Sequence, residues 1–183
     1  MAYHHGRLRE TLIETAVAAI DDRGVDALSL RDLARRAGVS HAAPAHHFGD
    51  RAGLLTAIAA DGFDRLATAL EASGGDFVEA GVAYARFATE EPGRFAVMFR
   101  TELLHGDDPA LVAARDRAGD VLRAGADASP GDARANRLAA WSLVHGFATL
   151  WNAGAIEVAD GARAEDLARV VAGRLFADAR PAR

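Results

Sequence analysis

The spacing of leucines and glycines in the first fifty residues limits what this chain can fold into more than any other feature. Leu8, Leu12, Ala16 and Ile20 recur every four residues, with Ile13 and Val17 beside them, and Gly24 ends the run. That period lays one apolar stripe along a helix from about Gly6 to Arg23. Ser29 and Asp32 then resemble a capping box: an acceptor for the first free N–H groups, and an acid near the positive helix end. A short second helix should therefore begin at Ser29. Leu30, Leu33 and Ala34 face inward, and Gly38 stands where a left-handed residue closes a helix.

The stretch that follows, "VSHAAPAHHFGD" (39–50), holds three histidines within seven residues and no bulky apolar side chain between Val39 and Phe48. Ser40 reads as the N-cap of a two-turn third helix ending near Phe48, with Pro44 in its first turn. Gly49 closes it, and Asp50 caps a long fourth helix from Arg51 to about Leu70. Two short helices joined by a glycine-containing turn, the second with an exposed face of small and polar residues, form the pattern of a helix-turn-helix at about 29–48. A helix entering the major groove must come close to bases and backbone, which Ala42, Ala43 and Ala45 permit. Ser40, His41, His46 and His47 offer donors to phosphates and base edges, and Ala42 or Ala43 can touch a thymine methyl. Alanine-rich sequence also forms helix for no functional reason, so the local pattern leaves that reading open.

Beyond residue 70 the chain still reads as helix, with no clean period-two alternation. "GGD" (74–76) breaks it. A fifth helix is expected over about Phe77–Thr89, a sixth from Pro92 to about Leu104, and a seventh over Pro109–Gly125. The eighth covers about Ala133–Ala153 and the ninth about Ala164–Ala179, with loops at 105–109 and 128–132. The fold class is all-α, about nine helices. The last two are apolar along one face, which suits dimerisation; the alternative is that they only close the monomer's core.

The 183 residues are long enough for one or two small domains, and half of them are apolar. Cysteine is absent, so disulfides and thiolate metal sites are excluded. The start lacks the apolar stretch of a secretory signal, and no apolar run approaches ~18 residues, so the expectation is a cytoplasmic protein without a membrane span. The net charge of −5 is unevenly spread. Residues 1–51 carry seven Arg, seven Asp or Glu and five of the seven His, whereas residues 52–183 hold all of the excess acid. A neutral head on an acidic body fits a DNA-binding head and also fits a plain enzyme.

Enzyme signatures are missing. There is no Gly-x-Ser-x-Gly, P-loop, dinucleotide fingerprint or His-Glu-x-x-His. Glu102 and His105 have the spacing of half a di-iron site, without the second half. Asp61 and Asp64 read as caps or solvated-face residues. No catalytic residue, metal or cofactor is expected.

The span from about His5 to Arg65 resembles the DNA-binding domain of the TetR (tetracycline-repressor) family of bacterial transcriptional regulators. The resemblance is carried by Ala16 and Gly24, by "LSLRDLARRAGVS" (28–40), by "HHF" (46–48), and by Arg51 with Leu54 and Leu55. In the C-terminal half, "EPGRFAVMF" (91–99) and "WSLVHGFATLWNAG" (141–154) resemble one subgroup, named for a Trp…His-Gly signature carried here by Trp141, His145 and Gly146. The resemblance implies a DNA-binding domain over 5–65 and a ligand-binding and dimerisation domain over 75–183. It further implies a homodimer paired through its last two helices, and a small molecule that moves the two heads and releases a pseudo-palindromic operator.

It also implies roles. His47 matches a common phosphate-contacting position, Phe48 a buried aromatic, and Arg51 a position where the family usually has a phosphate-binding Lys. Ala45 departs from the pattern, which places an aromatic there against the DNA backbone. Phosphate contacts are accordingly expected from Arg31, Arg36, His47 and Arg51, with Arg7 and Arg9 adding to them, and base contacts from His41, Ala42, Ala43 and His46. Phe63, Tyr84, Phe87, Phe95, Met98, Phe99, Leu103, Trp141, His145 and Trp151 are the candidates for an apolar effector pocket with few polar anchors. His145 reads first as a satisfied core histidine beside Gly146, where a missing side chain would let another helix approach, and second as a ligand contact. The expected function is a ligand-responsive, sequence-specific DNA-binding regulator, a repressor released by a small, largely hydrophobic effector. The alternative is a helical small-molecule binding protein with a weakened DNA-binding head.

Overall fold

The computed structural model describes residues 2–127, 131–159 and 161–176. Among these residues there are nine α-helices and no strand: α1 (Ala2–Arg23), α2 (Leu30–Ala37), α3 (Ala43–Phe48), α4 (Arg51–Glu71), α5 (Phe77–Glu90), α6 (Pro92–Met98), α7 (Pro109–Asp127), α8 (Ala133–Asn152) and α9 (Ala164–Phe176). Short 3-10 turns at Val25–Ala27 and Thr101–Leu103 complete the set. The sixth helix is shorter than its sequence suggests; the expected last turn is the 3-10 turn at Thr101–Leu103. Positions 128–130 of the expected second loop, and 177–179 of the expected ninth helix, lie outside the described residues. No described helix is long and apolar enough to cross a membrane.

The described residues form two compact units. The first comprises residues up to Phe63 together with Gly93–Ala114; the second comprises Asp64–Pro92 and the residues from Arg115 onward. In the first unit the α1 stripe is buried as its four-residue period requires, with Leu12, Ala16, Val17 and Ile20 inside. Leu33 of α2 and Leu54, Leu55 and Ile58 of α4 are fully enclosed as well. Each such side chain contributes about 1.5–3 kcal/mol on burial.

Segment 93–105 belongs to this unit through specific contacts. A Cβ at Gly93 would lie 2.6 Å from an Asp21 carboxylate oxygen and 3.0 Å from the Val17 carbonyl, so α6 starts almost against α1. Arg94 beside it is only 2% exposed. Its Nε donates to Asp61 of α4 at 2.7 Å, and its guanidinium also bonds Glu14 of α1. Asp61 is therefore a half-buried partner of Arg94. A buried guanidinium is tolerated where carboxylates meet it, and deleting one partner of such a group costs about 3–5 kcal/mol.

In the second unit α5 packs against both α8 and α9. Asp76 caps α5, accepting from the backbone N–H groups of Val78 and Glu79. The close approach of helices occurs at Gly81, where a Cβ would lie 3.2 Å from Val144 and 3.3 Å from Ala172. Around Gly146 there is open space among the described residues, so no helix of the same chain makes its close approach there. Ala85, Phe147, Ala164 and Ala168 form a small core onto which Trp151, Leu167 and Val171 pack.

Candidate nucleic-acid interface

Helix α2 begins as its sequence demands. The Ser29 hydroxyl accepts from the Asp32 backbone N–H at 3.2 Å. It ends on Gly38 at φ 67°, with the Val39 N–H bonded to the Ala34 carbonyl and the Gly38 N–H to that of Arg35. This is the paired closure that a left-handed glycine makes possible.

Helix α3 starts two residues later than a cap at Ser40 implies. Were Ser40 the N-cap, its carbonyl would accept from residue 44, and a proline has no N–H to give. Instead the Ser40 carbonyl takes the Ala43 N–H at 3.0 Å in a turn, and α3 begins at Ala43 with no side-chain cap. Pro44 sits in the first turn and is fully buried. Gly49, at φ 76°, ends the helix, and Asp50 then accepts from the Gly53 N–H at 2.7 Å. That bond is the main reason the Asp50 carboxyl titrates below its ordinary range.

Ser40, His41 and Ala42 consequently lie on the turn, while Ala43, His46 and His47 lie on α3. Ser40, His41, Ala42, Ala45 and His46 are exposed, Ala43 and His47 are half-buried, and Phe48 is buried. The small exposed surface expected of a groove-entering element is present, spread over a turn and a short helix rather than over one helix.

The arginines divide into distinct groups. Asp32 gathers Arg23, Arg35 and Arg36, with Arg36 Nε at 3.0 Å, and Arg36 also reaches Asp22 at 3.4 Å. These guanidiniums, Arg23 first and then Arg35, hold the Asp32 carboxyl well below the usual carboxylate range. Arg36 is therefore committed to acids and is not a free cation awaiting a phosphate. Arg51 is half-buried and points inward; its Nε donates to the Leu28 carbonyl at 3.0 Å and its Nη2 to that of Val25 at 2.8 Å. Its first role is to hold the connection between α1 and α2. Arg31 is exposed and makes no ion pair among the described residues.

The ten effector candidates fall five to each unit. In the first, Phe99 meets both Phe63 and Phe95 edge-on at 5.5 Å between ring centres, Met98 packs under Gly62, and Leu103 is half-buried. In the second, Tyr84 and Phe87 are buried on α5, and Trp151 belongs to the small core already described. The Tyr84 hydroxyl lies 2.9 Å from Nδ1 of His145, and the Trp141 side chain also hydrogen-bonds Tyr84. The indole N–H can only donate, so the tyrosine oxygen accepts it, and the same hydroxyl shares a hydrogen bond with Nδ1 whose direction follows the histidine tautomer. Burial pushes the Tyr84 hydroxyl far above its usual value and lowers His145, which keeps the imidazole neutral. His145 is thus a satisfied histidine between two helices.

Glu102 bonds Arg100 at 2.5 Å, and His105 faces Asp50 at 3.4 Å. The Glu-x-x-His pair is used in this way, and no group of three metal-ligating side chains occurs among the described residues. Arg94 and the Arg9–Phe48 contact were missed by reading along the chain. An arginine among Gly93, Phe95, Val97 and Met98 on a short apolar helix was the available sign of the first.

The fold and this surface define an all-helical protein with a helix-turn-helix head. Residues 12–58 match the bacterial regulatory proteins of the tetR family, and residues 77–175 match the tetracyclin repressor-like C-terminal domain. An uncharacterized HTH-type transcriptional regulator of Mycobacterium tuberculosis is 30% identical over 164 residues, covering 83% of this chain and 73% of that protein. The HTH-type transcriptional regulator BetI of Pectobacterium carotovorum is 49% identical over 49 residues, 27% of this chain; the match spans only 25% of BetI's length. A Rhodococcus protein of unknown function has a solved structure with 36% identity and a TM-score of 0.78, covering 97% of this chain and 98% of its own. The TetR family transcriptional regulator PfmR of Thermus thermophilus shares the fold at 23% identity and a TM-score of 0.70, over 91% of this chain and 97% of its own. The chain belongs to the TetR family of bacterial regulatory proteins.

Proposed function

We propose that this protein is a ligand-responsive, sequence-specific DNA-binding transcriptional regulator of the cytoplasm, acting as a repressor. The observation that carries this reading is the exposed surface made by the turn at 40–42 and α3, preceded on α2 by the exposed Arg31, which has no ion pair among the described residues. Small side chains there let backbone approach backbone, Ser40, His41 and His46 supply donors, and Arg31 supplies a phosphate-binding fork. His47 adds a phosphate contact, and Ala42 and Ala43 apolar ones.

A homodimer through α8 and α9 presents two such heads to a pseudo-palindromic operator with half-sites about a turn or more apart. Large apolar side chains exposed on those helices support it: Leu138 at 61%, Trp141 at 41% and Leu150 at 52% on α8, and Val170 at 58% on α9. The effector is small and largely hydrophobic, matching a set of aromatics with few polar tips.

A second reading, a small-molecule binding protein with a weakened head, is favoured by one observation: Ala45 is exposed and provides no aromatic anchor. Selection of sheared bacterial genomic DNA by the purified protein, followed by sequencing, separates the two. Enrichment of one pseudo-palindromic site supports the regulator. Sequence-blind recovery supports the second reading.

A further inference from the structure

Seven arginines occupy residues 1–51, and the structure accounts for four of them: Arg23, Arg35 and Arg36 on Asp32, and Arg51 on two backbone carbonyls. Arg7, Arg9 and Arg31 remain, all exposed and all without an ion pair among the described residues. Of the three, Arg9 has a fixed seat. Its guanidinium carbon lies over the Phe48 ring, 5.5 Å from the centroid. Phe48 is the last residue of α3, buried, with the His47 ring 6.1 Å away. A residue from the first helix thus delivers a solvent-facing cation to the C-terminal end of the short helix that carries the proposed reading surface.

Stacking on an aromatic face occupies one side of a guanidinium and leaves its edge N–H groups pointing outward. An exposed arginine ordinarily loses much side-chain freedom when it takes a phosphate. Here the ring restricts the side chain beforehand, and among the described residues no carboxylate pairs with the charge. We propose that Arg9 is a DNA-backbone contact in its own right, gripping a phosphate beside the C-terminal end of α3, with Phe48 as the positioning residue that sets its place. The contact fixes how α3 sits along the groove, and it carries no sequence information. This inference rests on the reading of the 40–48 surface as the DNA interface.

The test is the salt dependence of binding to a random-sequence duplex, read by fluorescence anisotropy, for the full chain and for Arg9→Ala, Arg9→Gln, Arg9→Lys and Arg7→Ala. Thermal melts establish that each variant is folded. Arg9→Gln keeps an aliphatic stem on Phe48 while removing the charge, so it stands in if Arg9→Ala fails to fold. Each phosphate contact contributes a slope of about 0.9 in log K against log salt. The expected result is a slope shallower by about that amount per engaged head for Arg9→Ala and Arg9→Gln. Arg9→Lys should keep the slope yet bind several-fold more weakly, because an ammonium offers no planar fork. Arg7→Ala, lacking a seat, should change the slope less. An unchanged slope in folded Arg9→Ala or Arg9→Gln, or an equal loss in Arg7→Ala, overturns the assignment while leaving the interface intact. Absence of any salt-dependent binding by the unaltered protein overturns the interface, and the role of Arg9 with it.

Discussion

Arg51 donates through Nη2 to the carbonyl oxygen of Val25 at 2.8 Å, tying the start of α4 to the chain between α1 and α2. A second bond, from Nε to Leu28 at 3.0 Å, makes the guanidinium a two-point clasp on backbone. Hydrogen bonds from a charged donor are worth about 1.5–3 kcal/mol each. Arg51→Ala removes both and is therefore expected to lower the stability of the head by about 3 kcal/mol or more in urea denaturation. The folded fraction should retain the salt slope of DNA binding. A shallower slope with unchanged stability would place Arg51 on phosphate instead.

Arg31 and Arg36 lie on one helix and differ in their company. Arg36 is already held by Asp32 and Asp22, whereas Arg31 meets no acid among the described residues. Arg31→Ala should weaken binding to all duplexes and flatten the salt slope by ~0.9 per head. Arg36→Ala should change the slope by less than half of that. Equal effects of the two substitutions would show that Asp32 releases its arginines to DNA.

The imidazole of His145 is kept neutral in the fold by burial, so its affinity for protons is lower there than in the unfolded chain. The unfolded state then binds the proton first as pH falls. Stability from this residue is fully present above the ordinary histidine value of about 6.5, and it declines as the pH drops from there toward the lowered folded value. Thermal midpoints of the unaltered protein should therefore fall more steeply below about pH 6.5 than those of His145→Gln. Parallel profiles for the two proteins would mean that His145 is as well solvated folded as unfolded.

Leu138 on α8 and Val170 on α9 expose large apolar surface that a dimer would cover. The double substitution Leu138→Glu with Val170→Glu should convert a dimer to a monomer in sedimentation equilibrium, with helix content by circular dichroism unchanged. DNA affinity should drop at least tenfold, because two half-sites are no longer gripped together. A variant that remains dimeric would move the interface off these two helices.

Local chemistry made much of the head readable in advance. The Ser29 cap, the Gly38 closure and the α1 stripe each depend on residues within a turn of one another, and each is found where its sequence puts it. The start of α3 was readable too, had the missing N–H of Pro44 been followed back to Ser40. What local pattern does not contain is the partner of a side chain far along the chain. Arg94 bonding Glu14 and Asp61, Arg51 turning inward, and residues 93–114 joining the head are all pairings across many residues. The same limit applies to the aromatics: their helical spacing is silent on which unit each helps to fill and on which of them, such as Trp141, stay exposed.

Whether the 40–48 surface reads DNA is tested most directly by equilibrium binding to two duplexes of equal length, one carrying the site enriched from genomic DNA and one with that site shuffled. Specific sites are typically bound at least ~10³-fold more tightly than non-specific DNA at physiological salt. The expected result is a preference of that order, reduced at least tenfold by His41→Ala, with both affinities falling as salt rises. Equal affinity for the two duplexes, or a preference untouched by His41→Ala, would contradict it.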